Sequence, residues 1–201
     1  FRYISISKAV ANIVEQEFNT SSTVIYNGIN FSEFQRRKNN ELSNKMICVG
    51  SLNNKVKNQE RIIQEFASVK DKISSNLYLV GEGPDLDFFS RLIHELKLTN
   101  RAFILGLRDQ DWLKQNLCNY DLFIQASLSE GLGISAIEGV AAGLPILLSE
   151  VDGHIGITSN GTFGDLFNPY LDGDLARKLI DFYDFPQEKF DLARESYVSQ
   201  G

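Results

Sequence analysis

Cysteine is scarce in this 201-residue chain: Cys48 sits inside an apolar run and Cys118 in a helical pattern. Two residues so placed form no zinc-ligand motif and no disulfide framework, and they suit a reducing compartment. Positive charge is short as well. Twenty Lys and Arg stand against 26 Asp and Glu, a net charge of −6, which argues against a nucleic-acid groove because such affinity rests on neutralising phosphates. No apolar run reaches the roughly 18 residues of a spanning helix. The start lacks Met, and Phe1–Ser7 has strand character rather than the basic start and apolar core of a signal peptide. The chain therefore reads as a piece of a longer protein with a cytoplasmic address. A G-x-S-x-G elbow is missing too, which leaves a nucleophilic hydrolase without support.

What is present is a globular composition, 43% apolar and 23% charged. A chain of this length buries roughly 70% of the surface its unfolded form exposes, enough for a core without disulfides or a structural metal. Arg36–Lys45 is polar apart from Leu42 and separates two apolar-patterned regions as an exposed linker does. Residues 1–35 are expected to be the remnant of a preceding domain with its linker, and residues 36–201 a domain of their own. The first part reads as strand Tyr3–Ser7, helix Lys8–Phe18, strand Thr23–Tyr26 and an Asn27-Gly28 turn. The second alternates. Strands at Met46–Val49, Leu77–Val80, Ala102–Leu105, Leu122–Gln125 and Pro145–Leu148 are separated by helical patterns at Gln59–Val69, Asp85–Leu96, Asp109–Leu117 and Gly133–Ala142. A weaker strand at Asp165–Phe167 and a helix at Asp174–Tyr183 follow. Short apolar strands without in/out alternation imply a sheet covered on both faces, so the expected fold is a doubly wound α/β, Rossmann-like parallel sheet. Ligands bind such sheets beyond the C-terminal ends of the strands, which directs attention to the loops after Val49, Val80, Leu105, Gln125 and Leu148.

The loop after Gln125 carries the most information. Ser129-Glu130-Gly131-Leu132-Gly133-Ile134 opens a helix whose two leading glycines leave backbone N–H groups uncovered, and the helix dipole adds positive potential there. A phosphate suits that position. From Ile134 to Leu148 the only strongly polar side chain is Glu138, in surroundings where an ionised carboxylate needs a partner or a polar cleft. It lies about 7 Å along the helix axis from Gly133, comparable to the reach from a nucleotide's diphosphate to its ribose hydroxyls. Glu130 lies on the far side of the phosphate position, where a sugar on the diphosphate would offer hydroxyls. Two other readings stay open. One is a structural helix with Glu130 as a favourable N-terminal charge and Glu138 at a solvated edge. The other is a dinucleotide site, because Gly131-x-Gly133-x-x-Ala136 with Glu150 and Asp152 also fits the NAD fingerprint, although it follows the fourth strand of the repeat and not the first.

Over nearly its whole length the chain resembles the C-terminal, donor-binding domain of a family 4 glycosyltransferase, one half of a GT-B fold. The likeness rests on the order and spacing of several short motifs: Val24-Ile25-Tyr26-Asn27-Gly28-Ile29, Val49-Gly50-Ser51-Leu52 followed by Lys57-Asn58, and Leu79-Val80-Gly81-Glu82-Gly83-Pro84. Phe103-Ile104-Leu105-Gly106, then Glu130 and Glu138 eight positions apart, and Ala142-Gly143-Leu144-Pro145 complete them. The resemblance implies transfer of a sugar from a nucleotide-diphosphate sugar, with retention of configuration and no metal or other cofactor. It assigns Glu138 to the ribose and Glu130 to a donor-sugar hydroxyl. Gly131, Leu132, Gly133 and Ile134 would cradle the sugar-diphosphate, and Lys57 would offset its growing charge. Gly106 and Leu107 would border the base, and Gly81 to Pro84, with Gly83 among them, would line the nucleotide cleft. Ser51 departs from the pattern, standing where the family usually has Arg, so it brings neither the charge nor the donor fork; Lys55 is the expected substitute. A non-catalytic nucleotide-binding module is the alternative this departure raises. The acceptor, a glycan or lipid-linked glycan, would be held by the N-terminal domain, and by family habit the whole protein would work at the inner face of the cell membrane. The isolated chain is expected to transfer little by itself.

The remaining candidates read as structural. His94 falls in the polar part of a helix, whereas His154 lies in the loop after strand Pro145–Leu148 on the ligand side, where it is a candidate sugar contact. Asp85/Asp87, Asp109/Asp111 and Asp172/Asp174 each open a helix, which capping and the dipole explain without a metal. Trp112 and Phe88-Phe89 read as core or interdomain aromatics.

Overall fold

The computed structural model describes residues 2–200, with side chains as far as Ala193. A first unit comprises β1 (Tyr3–Ser5), α1 (Lys8–Phe18) and β2 (Ser22–Val24). The remainder comprises β3 (Lys45–Val49), α2 (Asn54–Lys57), α3 (Gln59–Val69), β4 (Asn76–Val80), α4 (Leu86–Glu95), β5 (Ala102–Gly106) and α5 (Gln110–Asn116). It continues with β6 (Leu122–Gln125), α6 (Ile134–Ala141), β7 (Ile146–Ser149), α7 (Asp152–Ile157), β8 (Asp165–Phe167), α8 (Asp174–Asp184) and α9 (Pro186–Gln200). Six strands form one parallel sheet in the order β5-β4-β3-β6-β7-β8. The fold is the Rossmann-like α/β arrangement expected.

The central strands show why the sheet is parallel and covered. In β3, Met46 and Cys48 join a core layer with Ile62, Phe66 and Phe89, while Ile47 and Val49 join a second layer with Leu113, Ala136 and Val140. Both faces are therefore apolar, and each needs helices over it. The strand order reverses between β3 and β6, whose crossovers leave in opposite directions and open a crevice at their C-terminal ends.

The structure adds elements that periodicity did not show. Helix α2 is a single turn, α9 begins at Pro186, a favoured first helical position, and α7 occupies what read as loop. Helix α7 contains Gly153 and Gly156, both poor helix formers, so its existence is a tertiary effect. A Cβ at Gly153 would stand 2.3 Å from the Glu130 carbonyl oxygen, so only glycine lets α7 pack against that loop.

The first unit is a small parallel sheet of its own, with Ile4 opposite Thr23. Ser7 caps α1 by accepting the Val10 N–H, and its hydroxyl donates to the Gly131 carbonyl at 2.5 Å, tying the unit to the loop before α6. Arg36–Lys45 is no free linker. The Arg37 N–H donates to the Ala142 carbonyl at 3.0 Å, and its guanidinium meets Asp121 at 2.8 Å, with side-chain exposures of 6% and 0%. Asp121 also accepts the N–H groups of Ser43 at 2.8 Å and Lys45 at 2.9 Å. Composition marks such a segment as solvated, but a buried ion pair with both carboxylate oxygens hydrogen-bonded reverses that. Replacing Asp121 by Ala is expected to cost about 3–5 kcal/mol of unfolding free energy in urea, and Arg37→Ala a similar amount, with the double variant costing less than the sum. Losses under about 1 kcal/mol, the range of exposed pairs, would show that the segment is not held by this pair.

Candidate functional site

Two loops meet at the switch point. After β3, the chain passes Gly50 and Ser51 into α2, which ends at Lys57. The loop after β4 presses on it from the side: a Cβ at Gly81 would lie 1.9 Å from the Gly50 carbonyl oxygen, and one at Gly83 would lie 2.3 Å from that of Leu52. These glycines serve close backbone approach, and they shape the wall of the crevice rather than line it. From the other side, β6 leads through Ser127 and Glu130 to Gly133, the left-handed N-cap of α6 with φ 67°. Among the described residues the amide groups of Ile134 and Ser135 have no acceptor, as the geometry of a helix start dictates.

Between the loops lies a cleft of about 320 Å³ lined by Gly50, Ser51 and Lys57 opposite Glu130–Ser135, with Ile6 of the first unit at its edge. Its central feature is an ion pair. Lys57 Nζ stands 2.5 Å from Glu130 Oε2, with side-chain exposures of 18% and 14%. Burial works to raise the Glu130 pKa, but the Lys57 hydrogen bond and charge, helped by His154 and the Gly133 amide, outweigh it and hold the carboxyl below its ordinary value. Lys55 is exposed on α2 and does not line this cleft, so the charge missing at Ser51 is not replaced there. The Ser51 carbonyl accepts from Gln59 Nε2 at 2.7 Å, which braces the loop.

Glu138 lies one helical turn beyond Ile134 and is 5% exposed, not at a solvated edge. Burial pushes its carboxyl above the ordinary value, opposed by a hydrogen bond from Gln110 and by the charge of Lys114. Gln110 Nε2 donates to Glu138 Oε1 at 2.9 Å. Gly106 (φ 73°) and Leu107, 65% exposed, lie at the end of β5, outside the cleft but just ahead of the segment that supplies Gln110. Gln110 escaped sequence reading because a Gln in the first turn of a helix has no distinctive pattern; only the packing of α5 beside α6 gives it a partner. A second cleft, about 670 Å³, shares Leu132 and runs between the start of α1, residues 26–29 and α7.

The sequence from residue 30 to residue 197 matches the family model for glycosyl transferases group 1. The chain belongs to that family. Among curated relatives it is 31% identical to an uncharacterized glycosyltransferase of Methanocaldococcus jannaschii, over 75% of this chain and 42% of that protein. It is 28% identical to N-acetyl-alpha-D-glucosaminyl L-malate synthase of Bacillus anthracis, over 73% of this chain and 39% of that protein. The chain thus spans about two fifths of the length of these two relatives. Among solved structures it superposes on Anabaena HepE, crystallised with UDP and glucose, with a TM-score of 0.88 at 21% identity, covering 99% of this chain and 58% of that one. Staphylococcus aureus TarM gives 0.85 at 17% identity, covering 98% and 40%. These neighbours are GT-B glycosyltransferases, and at such identities the likeness is one of fold.

Within this group 1 fold the other candidates fall into structural places. Asp109 caps α5 by accepting the Trp112 N–H at 2.8 Å, Asp85 accepts the Asn54 N–H at 2.7 Å, and Asp174 accepts that of Asn168 at 2.8 Å. No cluster of three His, Cys, Asp or Glu suited to a metal occurs among the described residues. His94 is exposed on α4. His154 is wholly buried on α7, its Nδ1 3.0 Å from the Ser149 carbonyl oxygen and its Nε2 without a partner among the described residues; it backs the Glu130–Gly133 loop and is not exposed to a sugar. Burial pushes its pKa from 6.5 down to about 4. In the unfolded chain this imidazole takes a proton near pH 6.5 that the folded state refuses, so stability falls as pH drops from there toward about 4, by roughly 3 kcal/mol. His154→Leu is expected to flatten that slope in urea titrations between pH 7 and 4, whatever its effect on absolute stability. An unchanged slope would place the acid sensitivity elsewhere.

Proposed function

We propose that this chain is the donor-binding half of a retaining glycosyltransferase that takes a sugar from a nucleotide-diphosphate sugar and, in the whole protein, passes it to a glycan or lipid-linked acceptor without a metal. The observation that carries the reading is the Lys57–Glu130 pair set against the open amides at the start of α6, all on one cleft at the switch point. HepE solved with UDP and glucose, and TarM solved with UDP, support a nucleotide diphosphate as the ligand.

The chemistry follows from the charges. A diphosphate docked on the amides of Ile134 and Ser135 receives hydrogen bonds and the helix dipole without paying for reorganisation, because both are in place beforehand. It also competes with Glu130 for Lys57. As the glycosidic bond to the diphosphate breaks, negative charge grows on the leaving group, and an ammonium in a partly buried cleft stabilises that charge more than it stabilises the ground state. Glu130, held as a carboxylate, is then an acceptor for a donor-sugar hydroxyl. Glu138, on the same side of α6 as Ile134 and one turn further along, is assigned to the ribose. Acceptor binding is assigned to a preceding domain, and peripheral membrane association to the whole protein. A second reading, a nucleotide-binding module without transfer, is favoured by Ser51, which leaves Lys57 as the one cation among the described residues that line the cleft.

Calorimetry with UDP-, GDP- and ADP-sugars in EDTA tests the donor assignment. One of the three is expected to bind, and Lys57→Ala to weaken it about 10- to 100-fold, the worth of a charge-assisted hydrogen bond. In the longer protein Glu130→Gln is expected to lower transfer by about 100-fold while donor affinity changes little. Binding that requires a divalent cation, or affinity indifferent to Lys57, contradicts the reading. Donor binding with no transfer by the longer protein favours the module.

A further inference from the structure

We infer that Gln110 is the positioning residue of the ribose subsite: its side-chain amide holds one oxygen of Glu138 and leaves the other aimed at the ribose hydroxyls. The inference rests on the assignment of Glu138 to the ribose made above and adds the group that orients it.

Glu138 is buried, and its Oε1 accepts from Gln110 Nε2 at 2.9 Å; no other side chain donates to this carboxylate among the described residues. A glutamate has three rotatable bonds, and one anchored oxygen removes most of that freedom. The second oxygen is left with its lone pairs for a ligand. Gln110 itself is fixed from below. It is the first residue of α5, directly after the cap Asp109, whose carboxylate holds the Trp112 N–H at 2.8 Å. Lys114, four residues on and on the same face of α5, cannot take over the task, because its ammonium is engaged by Glu33 at 2.5 Å. Its charge reaches Glu138 through space without fixing a direction. The same segment, from Gly106 through Gln110, would thus border the base with its loop and orient the ribose contact of α6 with its first helical residue.

The test is the preference for ribose over deoxyribose. Calorimetry compares UDP, GDP and ADP with their 2′-deoxy and 3′-deoxy forms on the full chain and three substituted chains. The unsubstituted chain is expected to favour the ribonucleotide by about tenfold, as a lost hydrogen bond to a charged group predicts. Glu138→Ala should abolish the preference. Gln110→Met, equal in length but without a donor, should cut it below about threefold, with a larger loss of affinity for the ribonucleotide than for its deoxy forms. Gln110→Lys, which restores a donor, should recover it. A Gln110→Met chain with the full preference, or one that loses affinity for both forms equally, overturns the inference while the Glu138 assignment stands. No preference in the unsubstituted chain overturns that assignment, and with it this inference. Failure of all three nucleotides to bind overturns the donor reading and everything built on it.

Discussion

Strands β3 and β6 lie side by side, apolar on both faces, and their crossovers run in opposite directions. Everything else about the site depends on that reversal. Had the two crossovers run to the same side, a helix would cover the strand ends and the loops after Val49 and Gln125 would have no space between them. Because they diverge, Lys57 and Glu130, 73 positions apart in the chain, face each other across a cleft. The core sets the geometry, and the polar groups occupy the place it leaves open.

Three titratable groups around this cleft are driven apart by their surroundings. Glu130 has a cation at hand and stays ionised against the effect of burial. Glu138 has an amide and a distant ammonium, and burial lifts it. His154 is enclosed behind the loop and held neutral, its Nδ1 against Ser149. Two carboxylates eight residues apart therefore differ in character for reasons of environment alone. Small residues make this crowding possible. Gly133 admits the His154 ring and the Ile157 side chain, and Gly139 admits the Phe123 ring against α6.

The N-terminal residues show how a second unit touches the site. Ser7 donates to the Gly131 carbonyl, and a Cβ on Gly131 would meet Val10 at 3.3 Å, so the start of α1 is seated on the loop that leads into α6. In the same N-terminal unit Tyr3, Ile4, Ile13, Phe18, Ile25 and Tyr26 are exposed. The larger cleft opens beside it, between the start of α1 and α7.

Much of the architecture was legible in residue order, because burial on both faces and helical periodicity are local signals: the six-strand alternation, the helix opened by Gly131 and Gly133, and the isolation of Glu138 in an apolar helix all follow from them. Glu138 stood out for the same reason, as a charge where the pattern wanted none, whereas Lys57 was singled out only by the family resemblance. What residue order could not show was pairing across distance. That Arg37 is buried against Asp121, that Lys57 binds Glu130, that Gln110 holds Glu138, and that Gly153 seats α7 against the Glu130 carbonyl are outcomes of packing between segments 23 to 84 positions apart. The sequence by itself determined which residues are out of place in a core; only the tertiary structure decided which partner each of them meets, because a buried polar group is satisfied by what the fold brings within hydrogen-bond reach and not by its neighbours along the chain.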